Sequence, residues 1–282
     1  MSPTTEYAMR KFVRCCFIAT AFCLFSSLGN AAEDLKIIAW NVESGGSDPA
    51  VIAEQLKEMS GYQIYVLSEV DKKEFERFKN AVGTQFKSIE GTHKENDHLQ
   101  IIYDADRLEV LSWAEMEEQG EIKFNRENRA LRCPLFARFK FIQSGEVFQL
   151  IANHLARGNA KFRTQQAIGL REWARQQTAT TISIGDFNFD FEFSTRKGNE
   201  AFDEFLRDSV WKWVEPKKLV DTNWYDREGD GKDDYPGSML DFAFVAGSAK
   251  TQGWKCEVIV RPGDFPDDKR TSDHRPISLN RQ

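Results

Sequence analysis

Thr181-Ile182-Ser183-Ile184-Gly185-Asp186-Phe187-Asn188 is the stretch on which the reading of this chain turns. Ile182 and Ile184 alternate with small polar residues, the pattern of a strand with one apolar face. Gly185 lets the backbone turn sharply or approach another segment closely. Asp186 and Asn188 stand two apart, so on an extended backbone they project to the same side. A carboxylate and a carboxamide delivered together at a strand end suit a phosphate, a hydrated metal or an attacking water. Gly, Asp and Asn are also ordinary turn residues, so this stretch alone does not separate a site from a turn. The neighbouring apolar runs decide, because several of them end in polar residues of the same kind.

Upstream, residues 135–141 and 147–155 read as a hairpin around Ser144-Gly145, and its second strand ends at Asn153-His154. Nearer the start, the strand at 35–40 ends at Asn41-Val42-Glu43 and the strand at 63–69 ends at Glu69. Further strands are expected at 99–103 and 108–113. Downstream, the strand at 239–245 carries Asp241, another covers 254–260, and Ser272-Asp273-His274-Arg275-Pro276 precedes a last short strand. Helices are expected at 51–59, with Asp48 as cap and Pro49 at the first position, and at 72–82, 162–177 and 200–208. Residues 115–130 are strongly charged and read as an exposed loop. Lys123, Arg126, Arg129 and Arg132 there form the densest basic group after the N-terminal region, either solvated surface or a phosphate-facing loop. Strands outnumber helices and several pair as hairpins, which favours a mixed α+β sandwich over a parallel doubly wound sheet.

The bulk composition agrees. The 282 residues are 41% hydrophobic and 12% aromatic, ample for a core and unlike a disordered chain. Residues 1–31 have the layout of a secretory signal peptide: Arg10, Lys11 and Arg14, an apolar run over 15–28, then Gly29-Asn30-Ala31. That run is short and broken by serines, so it is not expected to span a membrane. The expected product is exported, periplasmic or secreted, with no membrane span after cleavage. The formal net charge is −6, and without the N-terminal segment it is near −8. This argues against a broad electropositive footprint for nucleic acid, though not against a nuclease that grips through a metal and a local basic patch. Cys133 and Cys256 remain after cleavage; export permits a disulfide between them, and two small buried thiols are the other reading. Two cysteines cannot build a cysteine zinc cluster. The sequence shows no internal repeat and no sign of an obligate protein partner.

Asn41, Glu69, His154, Asp186, Asn188, Asp241, Asp273 and His274 all lie at or in strand-like runs. Oxygen ligands such as Glu69, Asp186 and Asp273 suit hard divalent cations, Mg2+ or Mn2+. His274 with a carboxylate partner, Asp241, can act as general base on water. His154 and Asn188 can donate hydrogen bonds to phosphoryl oxygens as charge builds on them. Metal-assisted attack of water on a phosphate ester uses all of these parts.

In six places, in order, the chain resembles the endonuclease/exonuclease/phosphatase superfamily: Trp40-Asn41-Val42, Ser68-Glu69-Val70, Asn153-His154-Leu155, Gly185-Asp186-Phe187-Asn188, Leu240-Asp241-Phe242 and Ser272-Asp273-His274-Arg275-Pro276. The resemblance implies one catalytic domain over 32–282 with a four-layer α/β/β/α fold, two packed mixed β-sheets flanked by helices. It also implies roles. Glu69 would bind the catalytic metal with Asn41 and Asp273 close by. Asp186 and Asn188 would position water and phosphate. His274, oriented by Asp241, would be general base or phosphate-binding acid, and His154 would stabilise the transition state. Two positions depart from the common pattern: Ser68 replaces the usual Gln, and Asp97-His98-Leu99 stands where many members carry an arginine. Arg157, just after the His154 motif, is a candidate phosphate contact.

The expected function is therefore an exported, divalent-metal-dependent phosphodiesterase acting on nucleic acid, DNA before RNA. The alternatives are a phosphatase or phospholipase-type esterase on a small phosphorylated metabolite or lipid head group, and an inactive binding module of the same fold. Asp226 to Asp234 partly matches a calcium loop, with acids at places one, three, five and nine and Gly231 at six. Gly237 occupies the twelfth place instead of glutamate, so a structural Ca2+ site and an ordinary acidic loop both remain open.

Overall fold

The computed structural model describes residues 33–92, 97–125 and 132–281. The expected signal peptide at 1–31, and Arg126 and Arg129, lie outside the described residues.

Two six-stranded sheets form the body. The first runs, edge to edge, β13 (Trp254–Val258), β14 (Ile277–Arg281), β1 (Leu35–Asn41), β2 (Ile64–Val70), β4 (His98–Asp104) and β3 (Phe86–Glu90). The second runs β11 (Lys212–Trp213), β12 (Ser238–Ala246), β10 (Thr180–Glu192), β9 (Val147–His154), β8 (Leu135–Phe141) and β5 (Leu108–Glu115). Each sheet has one parallel pair near its middle, β1 with β2 and β9 with β10, and antiparallel partners elsewhere. A parallel pair needs a crossover, supplied by α1 (Pro49–Glu58) and α3 (Ala160–Arg175). The two sheets thus repeat one βαβ plan that the sequence does not reveal as a repeat.

Strand alternation builds the layers. Ile37 and Ala39 of β1 face the seam between the sheets, with Leu150 and Ala152 of β9, Ile182 and Ile184 of β10, and Ala243 and Val245 of β12. The opposite face of the first sheet, with Ile38 and Trp40, packs on Ile52 and Leu56 of α1 and on Phe75 and Phe78 of α2 (Phe75–Val82). The opposite face of the second, with Phe187, Phe189, Phe242 and Phe244, packs on Ala167 and Leu170 of α3 and on Phe202 and Phe205 of α4 (Glu200–Leu206). The result is helices, sheet, sheet, helices, as the resemblance implies. Asp48 caps α1 through Ala50 N–H at 2.9 Å, with Pro49 following. Cys133 and Cys256 are both buried, in different apolar clusters.

Three readings need correction. Residues 86–90 form an edge strand, β3, that was not expected. The charged run from 115 is not simply exposed: its described part folds into a small hairpin, β6 (Glu118–Gln119) with β7 (Ile122–Lys123), and Phe124 is fully buried beside α3. Arg132 leaves the surface altogether and pairs with Asp97 at 2.7 Å. Charges on every side of Phe124 hide its apolar contact from any window average. Among the described residues, no helix is long and apolar enough to cross a membrane.

Gly185 of β10 stands in register with Asn153 of β9. Its φ is +131°, and a Cβ there would lie 2.4 Å from the carbonyl oxygen of Asn153. Both the backbone conformation and the space exclude a side chain. Gly185→Ala is expected to cost about 2–3 kcal/mol, read as a lowered urea midpoint with unchanged slope; an unchanged midpoint would show that the two strands can part here without penalty.

Candidate active site

The seam between the sheets is apolar along most of its length and turns polar at one end. The alternation that places Ala39, Ala152, Ile184 and Ala243 in the seam also directs Asn41, His154, Asp186, Asn188 and Asp241 to that side. Register then brings them together: Asp186 pairs with His154 on one flank and with Asp241 on the other. Glu69 is the exception. Val66 faces the seam, whereas Leu67 and Val70 both face the helices, so one extra residue lies between them. The β2–β4 register shifts at this point, and Glu69 has φ +53°. This bulge re-aims Glu69 into the cluster. Asn188, Asp190 and Glu43 also have positive φ, at +52°, +47° and +50°. Conformations of this kind cost energy and concentrate at functional sites.

Asn41 ties the two sheets' acids together. Its Nδ2 donates to Glu69 Oε1 at 3.0 Å and to Asp186 Oδ2 at 3.1 Å, while its Oδ1 accepts from the Glu43 N–H at 3.0 Å. The amide therefore offers its nitrogen, not its oxygen, to the carboxylates. His154 Nε2 lies 3.5 Å from Glu69 and 3.4 Å from Asp186. On its far side Nδ1 is 3.5 Å from Asp97 Oδ1, and the other oxygen of Asp97 accepts from Arg132 at 2.7 Å. Arg132–Asp97–His154 is thus a chain of positioning contacts, absent from the sequence reading because Arg132 lies in a charged run. Asp186 Oδ1 accepts the Asn188 N–H at 2.9 Å, and Asn188 Nδ2 donates to the Leu155 carbonyl at 3.1 Å.

His274 is buried opposite. Its Nδ1 is 2.8 Å from Asp241 Oδ2, and its Nε2 stands 3.9 Å from both Asp186 and Asp273. Ser272 Oγ donates to the Asn41 carbonyl at 2.6 Å and accepts the His274 N–H at 3.0 Å, while Trp40 Nε1 donates to the His274 carbonyl at 2.8 Å. Burial opposes a charged imidazole, but Asp241, Asp273 and Asp186 outweigh it and hold His274 well above its ordinary value. With its proton the ring can bind a phosphoryl oxygen or act as an acid.

Glu43 joins the set unannounced by the sequence. Its Oε2 accepts the Asp273 N–H at 2.9 Å. Burial, then the Asp273 and Glu69 charges, push its carboxyl up to about 7. Asp273 is also raised, first by burial and then by Glu69 and Asp186, against the lowering influence of His274 and Arg157. Among the described residues no three acid, histidine or cysteine side chains form a finished cation cage. The donor chemistry nevertheless fits a hard divalent ion: Glu69 and Asp273 keep 26% and 29% of their side chains exposed, and the acids around them repel one another. The acidic loop behaves differently. Asp226 accepts the N–H groups of Gly229, Asp230 and Gly231, and Asp233 those of Tyr225 and Tyr235, so these carboxylates cap their own loop.

Two packed mixed sheets flanked by helices are also the fold of solved endonuclease/exonuclease/phosphatase family proteins. A protein of that family from Bacteroides vulgatus is 17% identical, covering 89% of this chain and 99% of its own, with a TM-score of 0.67. D. rerio TDP2, solved with a single-strand DNA product, is 16% identical over 88% of this chain and 99% of its own (TM-score 0.66). A mannosyl-6-phosphatase of Bacteroides thetaiotaomicron is 17% identical over 87% and 98% (TM-score 0.63). No protein-family model and no curated protein matches the sequence.

Glu43 gives a pH test. Its folded value, about 7, lies above its ordinary 4.5, so the fold favours the protonated acid. The stability it contributes is complete below pH 4.5 and is lost as pH rises through about 7. In chelator, Tm is expected to fall between pH 5 and pH 7.5, and Glu43→Gln to flatten that fall; equal slopes in both proteins would show that Glu43 is not strained by its neighbours.

Proposed function

We propose that this chain is an exported, divalent-cation-dependent hydrolase of phosphoric esters. The observation that carries the reading is the Asp241–His274 pair, closed at 2.8 Å, whose free Nε2 faces Asp186 and Asp273 at the polar end of the seam. Glu69 and Asp273, with Glu43 beside them, would hold a Mg2+ or Mn2+ ion, which when bound neutralises phosphoryl charge and acidifies water.

The chain's own residues do the rest. Asp186, buried between two imidazoles, accepts a proton or hydrogen bond from water directed at phosphorus. His154, braced by Asp97 and Arg132, and His274 face the oxygens on which charge develops. His274 donates a proton to the departing oxygen, and Asp241 keeps the ring turned and charged. Asn41 holds Glu69 and Asp186 at fixed separation, so the nucleophilic and cation-binding parts stay in register. Export rests on the N-terminal pattern, with a periplasmic or extracellular destination.

Nucleic acid and small phosphate esters are both compatible with this chemistry, because fold does not decide substrate. The acidic balance of the chain and the mixed charge beside the site favour a compact phosphorylated molecule over a long polyanion.

The test is hydrolysis of bis(p-nitrophenyl) phosphate, p-nitrophenyl phosphate and supercoiled plasmid with Mg2+, with and without chelator. Cleavage of at least one ester is expected to vanish in chelator, and to fall by about 10³-fold in His274→Ala, assayed well below the lowered Tm that loss of a buried partner brings. Cleavage that survives both treatments, or no cleavage with any of several divalent metals, would remove the enzyme reading and favour a binding module.

A further inference from the structure

A cleft of about 980 Å³ opens beside the site, at the upper end of the range for pockets that hold a drug-sized molecule. It shares backbone with the catalytic groups. Asn223 bridges to His274, Leu240 precedes Asp241, and Asp190 follows Asn188 by two. Arg157 stands at the boundary: its charge reaches Asp273, and its guanidinium lies 5.7 Å over the Tyr225 ring. A phosphate at the site would therefore project its remaining substituent into this space.

The lining defines the chemistry of that substituent. Tyr235 is 60% exposed and stacks on Tyr225, with centroids 5.9 Å apart and planes at 26°. The pair is a braced aromatic plate with one open face. Asn223 is only 5% exposed, and its Oδ1 is buried with no hydrogen-bond partner among the described residues. A buried acceptor left unpaired is costly, so it awaits a donor from outside. Asp190 is held in place by Asn199 at 2.7 Å, and Glu192 and Asp234 are further acceptors on the wall. Together the cleft offers an apolar plate and a rim of oxygen acceptors, with three carboxylates against the two cations Arg157 and Lys197.

A continuing nucleic acid would bring further phosphates against those carboxylates. A sugar fits instead: its C–H face lies on an aromatic ring, and its hydroxyls donate to carboxylate and amide oxygens. We propose that this cleft is a carbohydrate subsite, so that the substrate is a phosphorylated sugar or short oligosaccharide whose glycan part lies on Tyr235 and donates to Asn223 Oδ1. The assignment rests on the phosphoester reading for the position of the phosphate.

The experiment is calorimetric titration of the full protein, in chelator, with glucose 6-phosphate, inorganic phosphate and a trinucleotide. Glucose 6-phosphate is expected to bind at least 10-fold tighter than inorganic phosphate and tighter than the trinucleotide. Tyr235→Ala, at an exposed position, should remove about 10-fold of that affinity, and Tyr235→Trp should keep it. The sugar phosphate binding no tighter than phosphate, the trinucleotide binding best, or indifference to Tyr235→Ala would each overturn the proposal. Aryl ester hydrolysis separates the two levels. If the aryl esters are cleaved but the sugar brings no affinity, the subsite falls and the hydrolase stands. Tyr235-dependent sugar binding without any ester cleavage leaves the subsite and removes the hydrolase.

Discussion

Two carboxylates, Asp186 and Asp241, are cross-strand partners in the middle of the second sheet, and both are almost wholly buried. Burying two like charges side by side costs several kcal/mol per ion unless each is compensated. The structure around them is that compensation. His274 neutralises Asp241 and faces Asp186, His154 stands on the other side of Asp186, and Asn41 reaches across from the first sheet. Ser272 and Trp40 then fix His274 through its backbone. The polar seam end holds together only when both sheets are packed, so fold and site are one cooperative unit.

The strand phase that makes the core also makes the site, which is why so much was legible. A reader who sees Ile182 and Ile184 as one face must place Asp186 and Asn188 on it too, and the same rule carries Asn41, His154 and Asp241. Glu69 breaks the rule. It was found because it ends an apolar run, not because its phase was right, and only the bulge explains how it arrives. What the sequence withheld depends on long-range geometry. Glu43 turns inward through a positive φ. Arg132 and Asp97 meet across 35 positions. Asn223 approaches His274 through a backbone bridge. None of these has a local pattern.

The resemblance implies roles, and the geometry shows the contacts in which those residues stand. Asn41 is implied close to the metal, and its amide nitrogen links Glu69 and Asp186 while its oxygen accepts the Glu43 N–H. The resemblance implies His274 as base or acid, and three carboxylates surround its ring. Where many members carry an arginine, Asp97 turns inward here and braces His154.

The order of the first sheet has a consequence for biosynthesis. β14, among the last described residues, is inserted between β13 and β1, so the sheet's N-terminal strand waits for the far end of the chain before it gains its neighbour. Asp273 and His274 immediately precede that strand. Such a long-range closure is slow and comes late. A nascent chain still lacking residues 273–281 lacks β14 and the His274 imidazole, one of the two that flank Asp186. A fragment that stops before Asp273 therefore leaves β1 without its antiparallel neighbour and Asp241 without its His274 partner.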